Sequence, residues 1–339
     1  MIRFSYHRAE TVEDAVRLLA ADPKAKPLAG GTNLVDLLKY DVETPTAIVD
    51  LNRLPLRTIE ETEEGGLRLG ALVSNNDTAY DTRVRERFPL LANAILAGAT
   101  GQLRNAATNG GNLLQRTRCY YFYDPATPCN KRNPGSGCGA IGGVNRIHAV
   151  LGASDQCIAT HPSDMCVALA ALEAVVVVQG PDGIRRIPVA DFHTLPGDTP
   201  ERDNVLHPGD LVTAIELAPH DFGNHWTYLK LRDRQSYAFA LVSVAVGLEM
   251  NGDGTIKQGR IALGGVAHKP WRDTEAEALL EGQPATPENF AQVAEHLFRN
   301  AVGQGENTFK IELGRRAVVR ALTQAAAGTP QPIADKRIV

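Results

Sequence analysis

The chain has 339 residues, 43% hydrophobic and 22% charged, with 35 basic against 39 acidic side chains and a formal net charge of -4. That length leaves room for two domains, and the charge balance gives no reason to expect nucleic acid or an anionic membrane as partner. Apolar runs such as Ala174 to Val178 are far too short to span a bilayer, and the first residues, MIRFSYHRAETVEDAV, lack the apolar centre of a secretory signal.

Thr11 opens the first predicted helix: Thr-x-x-Asp is a cap signal, and Val12, Ala15, Val16 and Leu19 share one face. A short strand around Lys26 to Leu28 enters Ala-Gly-Gly-Thr-Asn, a helix follows through Leu34, Val35, Leu37 and Leu38, and Ala47 to Leu51 is the next strand. Adjacent glycines before a helix permit close approach of an anion such as a pyrophosphate; equally, Gly30-Gly31 turns the chain and Thr32 caps the helix. Leu67 to Asp77 reads as a strand and a capped helix, and Phe88-Pro89 starts a helix that ends near Gly98. GQLRNAATNGGNL then predicts a second glycine–asparagine turn, with Gln102, Arg104, Asn105 and Asn109 nearby. Two such turns in one domain suit an extended ligand with a pyrophosphate in its middle.

Residues 117–158 have few apolar side chains, no sustained period, and four cysteines, Cys119, Cys129, Cys138 and Cys157, spaced C-x9-C-x8-C-x18-C. A loop of this length in a compact domain needs a tie. Two disulfides, a zinc ion and an iron–sulfur cluster are the three candidates. Disulfides fit poorly with five cysteines and a chain long enough to bury a core, and structural zinc usually takes ligands in close pairs, which are missing here. Four cysteines suit a 4Fe–4S cluster, for which no single spacing is obligatory. A formal G-x-G-x-x-G at Gly137, Gly139 and Gly142 follows no strand and opens no helix, so it is not a dinucleotide fingerprint. Cys166, in an apolar run, reads as a buried, inert thiol.

His161-Pro162-Ser163-Asp164 precedes an apolar helix, with Asp164 either in its first turn or on a ligand hydroxyl. Ala174 to Val189 is a hairpin around Pro-Asp-Gly, residues 195–204 are a polar loop, and Leu211 to Leu217 is a closing strand. The composition shifts between Pro219 and Asn224, which divides the chain into domains at 1–219 and 220–327 with a tail at 328–339. The second domain reads as three antiparallel strands, the last two joined by Asn251 to Gly254, followed by three helices, an α+β arrangement.

AGGTNLVDL, GQLRNAATNGGNL, HPSDMCVALAALEA and IALGGVAHKPW, in this order, resemble the FAD-binding subunits of the xanthine-oxidase family of molybdenum hydroxylases. With the cysteine loop, the sequence is similar to the 4Fe–4S-containing flavin subunit of bacterial periplasmic-type aldehyde oxidoreductases; the flavin subunit of 4-hydroxybenzoyl-CoA reductase has a related loop. The resemblance implies a two-subdomain FAD-binding domain of the vanillyl-alcohol-oxidase/PCMH type, followed by a small C-terminal domain. Lys26, Pro27, Leu28, Ala29, Gly30, Gly31, Thr32, Asn33 and Leu34 would wrap the FAD pyrophosphate. Gln102, Thr108, Gly111 and Asn112 would line the flavin and ribityl chain, Asp164 would bind a FAD hydroxyl, and Lys230 would reach the cofactor from the second domain. Cys119, Cys129, Cys138 and Cys157 would ligate the cluster.

The implied protein is an oxidoreductase subunit that carries electrons and does not touch the aldehyde, so no residue is nominated as general acid or base. Its partners would be a large molybdenum-cofactor subunit, a small 2Fe–2S subunit and an external electron acceptor. Arg116, Arg118, Lys131 and Arg132 are expected to form a rim on the cysteine loop, either facing a partner or as a plain solvated basic face. The expected compartment is the periplasm, by co-export with a partner bearing a twin-arginine signal, or the cytoplasm without one. Two rival readings are a free-standing flavoprotein oxidase, which needs a positioned base, and a zinc-stapled assembly module, which chelator would unfold.

Overall fold

The computed structural model describes residues 1–328; the rest of the expected tail lies outside the described residues. The chain opens with β1 (Ser5–Arg8), α1 (Val12–Ala21), β2 (Lys26–Leu28), α2 (Leu34–Lys39) and β3 (Ala47–Asp50), and the strands form a parallel sheet ordered β1-β3-β2. Thr11 Oγ1 accepts the Asp14 N–H at 3.1 Å, and α1 turns Ala15, Val16 and Leu19 onto Val49 and Leu51. β1 was not expected: all four of its residues are exposed, so it carries no alternating pattern to read.

The next sheet is antiparallel, ordered β4-β5-β8-β6-β7, and a run of helices interrupts it in sequence. After β4 (Ile59–Glu61) and β5 (Leu67–Gly70) come α3 (Asn75–Tyr80), α4 (Thr82–Arg87), α5 (Pro89–Ala97), α6 (Gly101–Ala106) and α7 (Asn109–Leu113). The expected glycine–asparagine turn is therefore two short helices. Thr100 and Thr108 cap them, accepting the N–H of Leu103 at 3.3 Å and of Gly111 at 3.2 Å, and these caps offset the poor helix propensity of the glycines. α8 (Tyr120–Tyr123) is a single turn in the cysteine loop, and α9 (Asp164–Ala171) follows that loop. β6 (Val175–Gly180), β7 (Gly183–Pro188), α10 (Val189–Phe192) and β8 (Leu211–Leu217) complete the unit, with β6 and β7 paired as the expected hairpin.

The C-terminal unit holds β9 (Trp226–Leu231), β10 (Val242–Met250), β11 (Ile256–Gly264), β12 (Trp271–Arg272), α11 (Thr274–Ala278), α12 (Pro287–Leu297) and α13 (Phe309–Ala326). Its antiparallel sheet has four strands, β12-β11-β10-β9, not three. The extra strand is two residues long, too short to show a period, and Arg272 fixes it with a bidentate bond to Glu277 at 2.8 Å. α12 and α13 share one core with β10 and β11, while Trp226, Tyr228, Ala245 and Ala262 join a second core with α5 and α9. The two units thus share a core along α5 and α9, and the α+β class holds throughout. Among the described residues no helix is long and apolar enough to cross a membrane.

Candidate functional site

Two cavities, of about 810 and 450 Å³, share Thr32, Asn33 and Gly111 as walls and so form one extended trough. The whole segment Lys26 to Leu34 lines the smaller cavity, with Thr108 opposite. Asn112, Asp164 and Lys230 line the larger one. Gln102 lines neither and is exposed: on α6 the residues turned to the cleft are Leu103, Arg104 and the following Ala107, about 100° per residue away. Of the fifteen residues expected at the cofactor, Gln102 is the one the trough leaves out.

Gly30 fixes the width of the trough. A Cβ there would stand 1.8 Å from the Ala106 carbonyl oxygen, so the glycine loop can lie against the α6–α7 junction only without a side chain. α2 has six residues, and its N-cap Asn33 makes no capping bond; the Asn33 carboxamide accepts the Arg116 N–H at 2.9 Å instead. Asn112 is held at both amide ends, donating to Asn75 Oδ1 at 2.7 Å and accepting from Ser163 Oγ at 2.6 Å. Ser163 also caps α9 by accepting the Cys166 N–H at 3.0 Å, which puts Asp164 in the first turn of that helix. The Asp164 carboxylate accepts from Tyr228 Oη at 2.6 Å and Lys230 Nζ at 2.8 Å, and this Lys–Asp pair is nearly solvent-free. Lys230 and Arg232 each donate to the Ala97 carbonyl at 3.1 Å. Asn75, Ser163 and Tyr228 were not singled out in the sequence; polar residues inside apolar strands and at helix caps were the available signal.

The four loop cysteines line one small cavity; Cys119, Cys129 and Cys157 are buried, Cys138 is partly so, and all are free thiols. Cys129 and Cys138 face each other across an antiparallel bridge. Burial pushes the Cys119 thiol up to about 12 and the Cys157 thiol to about 11, so without a bound metal both are protonated. Cys166 lies outside this set, fully buried in α9. The formal G-x-G-x-x-G is a packing device: a Cβ on Gly139 would meet the Tyr121 ring at 2.6 Å.

The expected basic rim is corrected by the structure. Arg132 folds inward and donates to the carbonyls of Tyr121 and Phe122 at 2.8 Å each. The Lys131 side chain is 1% exposed and bonds Asp203 and the Pro200 carbonyl, both at 2.6 Å. Arg116 pairs with Glu43 and Asp203. Arg118 lies 5.2 Å from the Phe239 ring centre and donates to Tyr123 Oη, on the wall of the larger cavity. Three of the four cations are thus internal ties: Arg116 and Lys131 to acids too far off in sequence to be read from it, and Arg132 to carbonyls of its own loop. His268 Nε2 stands 3.5 Å from the same Asp203.

Residues 2–220 match the family described as the FAD binding domain in molybdopterin dehydrogenase. The chain belongs to this FAD-binding family. Residues 226–325 of the flavoprotein match a second family, the CO dehydrogenase flavoprotein C-terminal domain. It is 51% identical, over 96% of its length and 99% of the relative's, to the aldehyde oxidoreductase FAD-binding subunit PaoB of Escherichia coli K12. It is 28% identical to the glyceraldehyde dehydrogenase medium chain of Sulfolobus acidocaldarius, over 95% of this chain and 96% of that one. Among solved structures it is similar to carbon monoxide dehydrogenase from Hydrogenophaga pseudoflava, with a TM-score of 0.76, 28% identity, and 97% and 100% of the two chains covered. The flavoprotein is thus an FAD-binding component of an oxidoreductase.

Lys230→Met in this flavoprotein is expected to lower stability by about 3–5 kcal/mol, because it strands a buried carboxylate. Adding Asp164→Asn should recover most of that loss, since the unpaired charge is gone, while FAD content stays low. Denaturant midpoints and extracted flavin on both variants check this. A double variant as unstable as the single one would contradict the pairing.

Proposed function

We propose that this flavoprotein is the FAD- and 4Fe–4S-carrying subunit of a heterotrimeric molybdenum aldehyde oxidoreductase. The reading is supported by 51% identity to an aldehyde oxidoreductase FAD-binding subunit across nearly the whole of both chains. The observation that carries the cluster is the convergence of Cys119, Cys129, Cys138 and Cys157 on one cavity as free thiols. A single zinc ion fits these residues poorly. Zn–S bonds of about 2.3 Å would hold four sulfurs about 3.8 Å apart. Among the described residues, no three of these sulfurs lie within 4.8 Å of one another. Four cysteines around one cavity match the all-thiolate donor set of a 4Fe–4S cluster.

For FAD, the glycine loop from Ala29 to Asn33 would offer backbone N–H groups to the pyrophosphate at the neck where the two cavities meet. Asp164, aimed by Tyr228 and Lys230, would accept from a hydroxyl of the cofactor, and Asn112 would present its fixed amide to the flavin side. The parallel sheet and the five-stranded sheet that flank the trough would be the two subdomains of a PCMH-type fold. Bound FAD supplies the redox chemistry, taking single electrons from iron–sulfur centres and handing pairs to an external acceptor. The residues of this chain position, enclose and tune; substrate hydroxylation belongs to a large molybdenum-cofactor subunit, with a small 2Fe–2S subunit between the two. Export to the periplasm would use a partner's twin-arginine signal.

Replacing Cys138 and Cys157 together by serine tests the ligand set. The variant, purified anaerobically, is expected to lose its iron and acid-labile sulfide and to keep FAD, because Cys138 and Cys157 line neither cavity of the trough. Iron retained at the wild-type level would overturn the assignment of these cysteines.

A further inference from the structure

His148 belongs to the cysteine loop but is held in place by the C-terminal unit. Its carbonyl accepts from Lys310 Nζ at 2.8 Å, Asn307 Nδ2 donates to the carbonyl of the next residue, Ala149, at 2.9 Å, and the Ala149 N–H donates to Ile158 O at 2.8 Å. His148 is 1% exposed, and its Nε2 lies 3.1 Å from Cys119 Sγ. Cys119 is the one of the four loop cysteines that lines the larger cavity as well as the small one, and His148 lines that larger cavity beside it. The pair therefore forms the wall between the cysteine set and the FAD trough.

A sulfur that ligates iron is a thiolate and has no proton to give, so a bond between it and the ring must run from Nε2–H to Sγ. Such a bond draws electron density from the sulfur and favours the more negative, reduced state of a cluster, which raises its reduction potential. We propose that His148 is a positioning residue that pins Cys119 to the wall of the flavin trough and raises the reduction potential of the cluster through its Nε2–H···Sγ bond. The proposal rests on the reading of the four cysteines as 4Fe–4S ligands. The contact from the Ala159 N–H to Cys157 Sγ, at 3.4 Å, is longer and comes from the backbone, so substitutions at His148 leave it as an internal control.

The test is an EPR-monitored redox titration of the full chain as wild type, His148→Leu and His148→Gln, with iron, sulfide and FAD counted on each. His148→Leu removes the donor and should move the cluster potential to more negative values; His148→Gln, whose amide nitrogen reaches about as far as Nε2, should return it toward wild type. An unchanged potential in a fully loaded His148→Leu chain overturns the proposal. If that variant takes up no iron, pulsed EPR of wild-type chain labelled with ¹⁵N-histidine decides. A ¹⁵N coupling at the reduced cluster that is missing in His148→Gln supports the bond, and no coupling in wild type overturns it. Wild-type chain without iron would instead sink the cluster reading itself, which separates the two failures.

Discussion

Asp203→Asn is expected to destabilise the folded chain by about 3–5 kcal/mol, the cost of leaving the buried Lys131 without its counter-charge and Arg116 with Glu43 alone. Asp203 sits in the polar loop between β7 and β8 and ties Arg116 and Lys131, one from each side of Cys119, to that loop. The Arg116 and Lys131 charges hold its carboxyl far below the usual range despite burial. Its folded value lies below the unfolded one near 3.8, so its contribution is present above that pH and is lost as pH falls through and below it. Three neighbouring histidines act earlier. Burial pushes His193 and His268 down to about 4 and His161 well below its ordinary value. Below the ordinary value of 6.5 the unfolded chain therefore takes up protons that the folded chain refuses, and stability declines from there toward 4. Urea midpoints measured across this range should fall in two stages, and Asp203→Asn should flatten the second. A variant with wild-type stability at neutral pH would mean that Arg116 and Lys131 find other partners.

Gly30→Ala is expected to weaken FAD binding at least ~10-fold, equivalent to about 1.4 kcal/mol, and to leave most of the fold intact. The added methyl would meet backbone, the Ala106 carbonyl at 1.8 Å, and the segment beyond it is fixed because the Ala107 carbonyl accepts the Asn75 N–H at 2.8 Å. The glycine loop must therefore move, and with it the N–H groups assigned to the pyrophosphate. Gly101→Ala is the matched control, since nothing lies within 4 Å of a Cβ there. Flavin extracted per chain and circular dichroism on the two variants separate loss of cofactor from loss of fold. Full flavin occupancy in Gly30→Ala would contradict the placement of the glycine loop.

The legible parts of the chain were those that local chemistry decides. The hairpin of β6 and β7 announces itself through alternation and a Pro-Asp-Gly turn, and α1 through Thr11 and its apolar face. The cysteine loop was legible as a unit because a long polar segment with four spaced thiols stands out from its surroundings; the Lys131 and Arg132 bonds and the Phe122 cluster that also hold it were not. Three features escaped for physical reasons. The α6–α7 helices were misread because glycine and asparagine favour turns, and only the Thr100 and Thr108 caps overrule them. Gln102 was placed at the cofactor because a turn has no fixed face, whereas the helix that forms there turns it to solvent. Arg116, Lys131 and Arg132 looked like a surface rim because their partners, Glu43, Asp203 and the loop carbonyls, are brought to them only by folding.

The most direct test of the account is a visible spectrum of the anaerobically purified chain, with extracted flavin, iron and zinc counted on the same sample. Flavin bands over a broad iron–sulfur absorbance are expected, with FAD and about four irons per chain and little zinc. FAD without iron, or with zinc in its place, would contradict the proposed 4Fe–4S cluster.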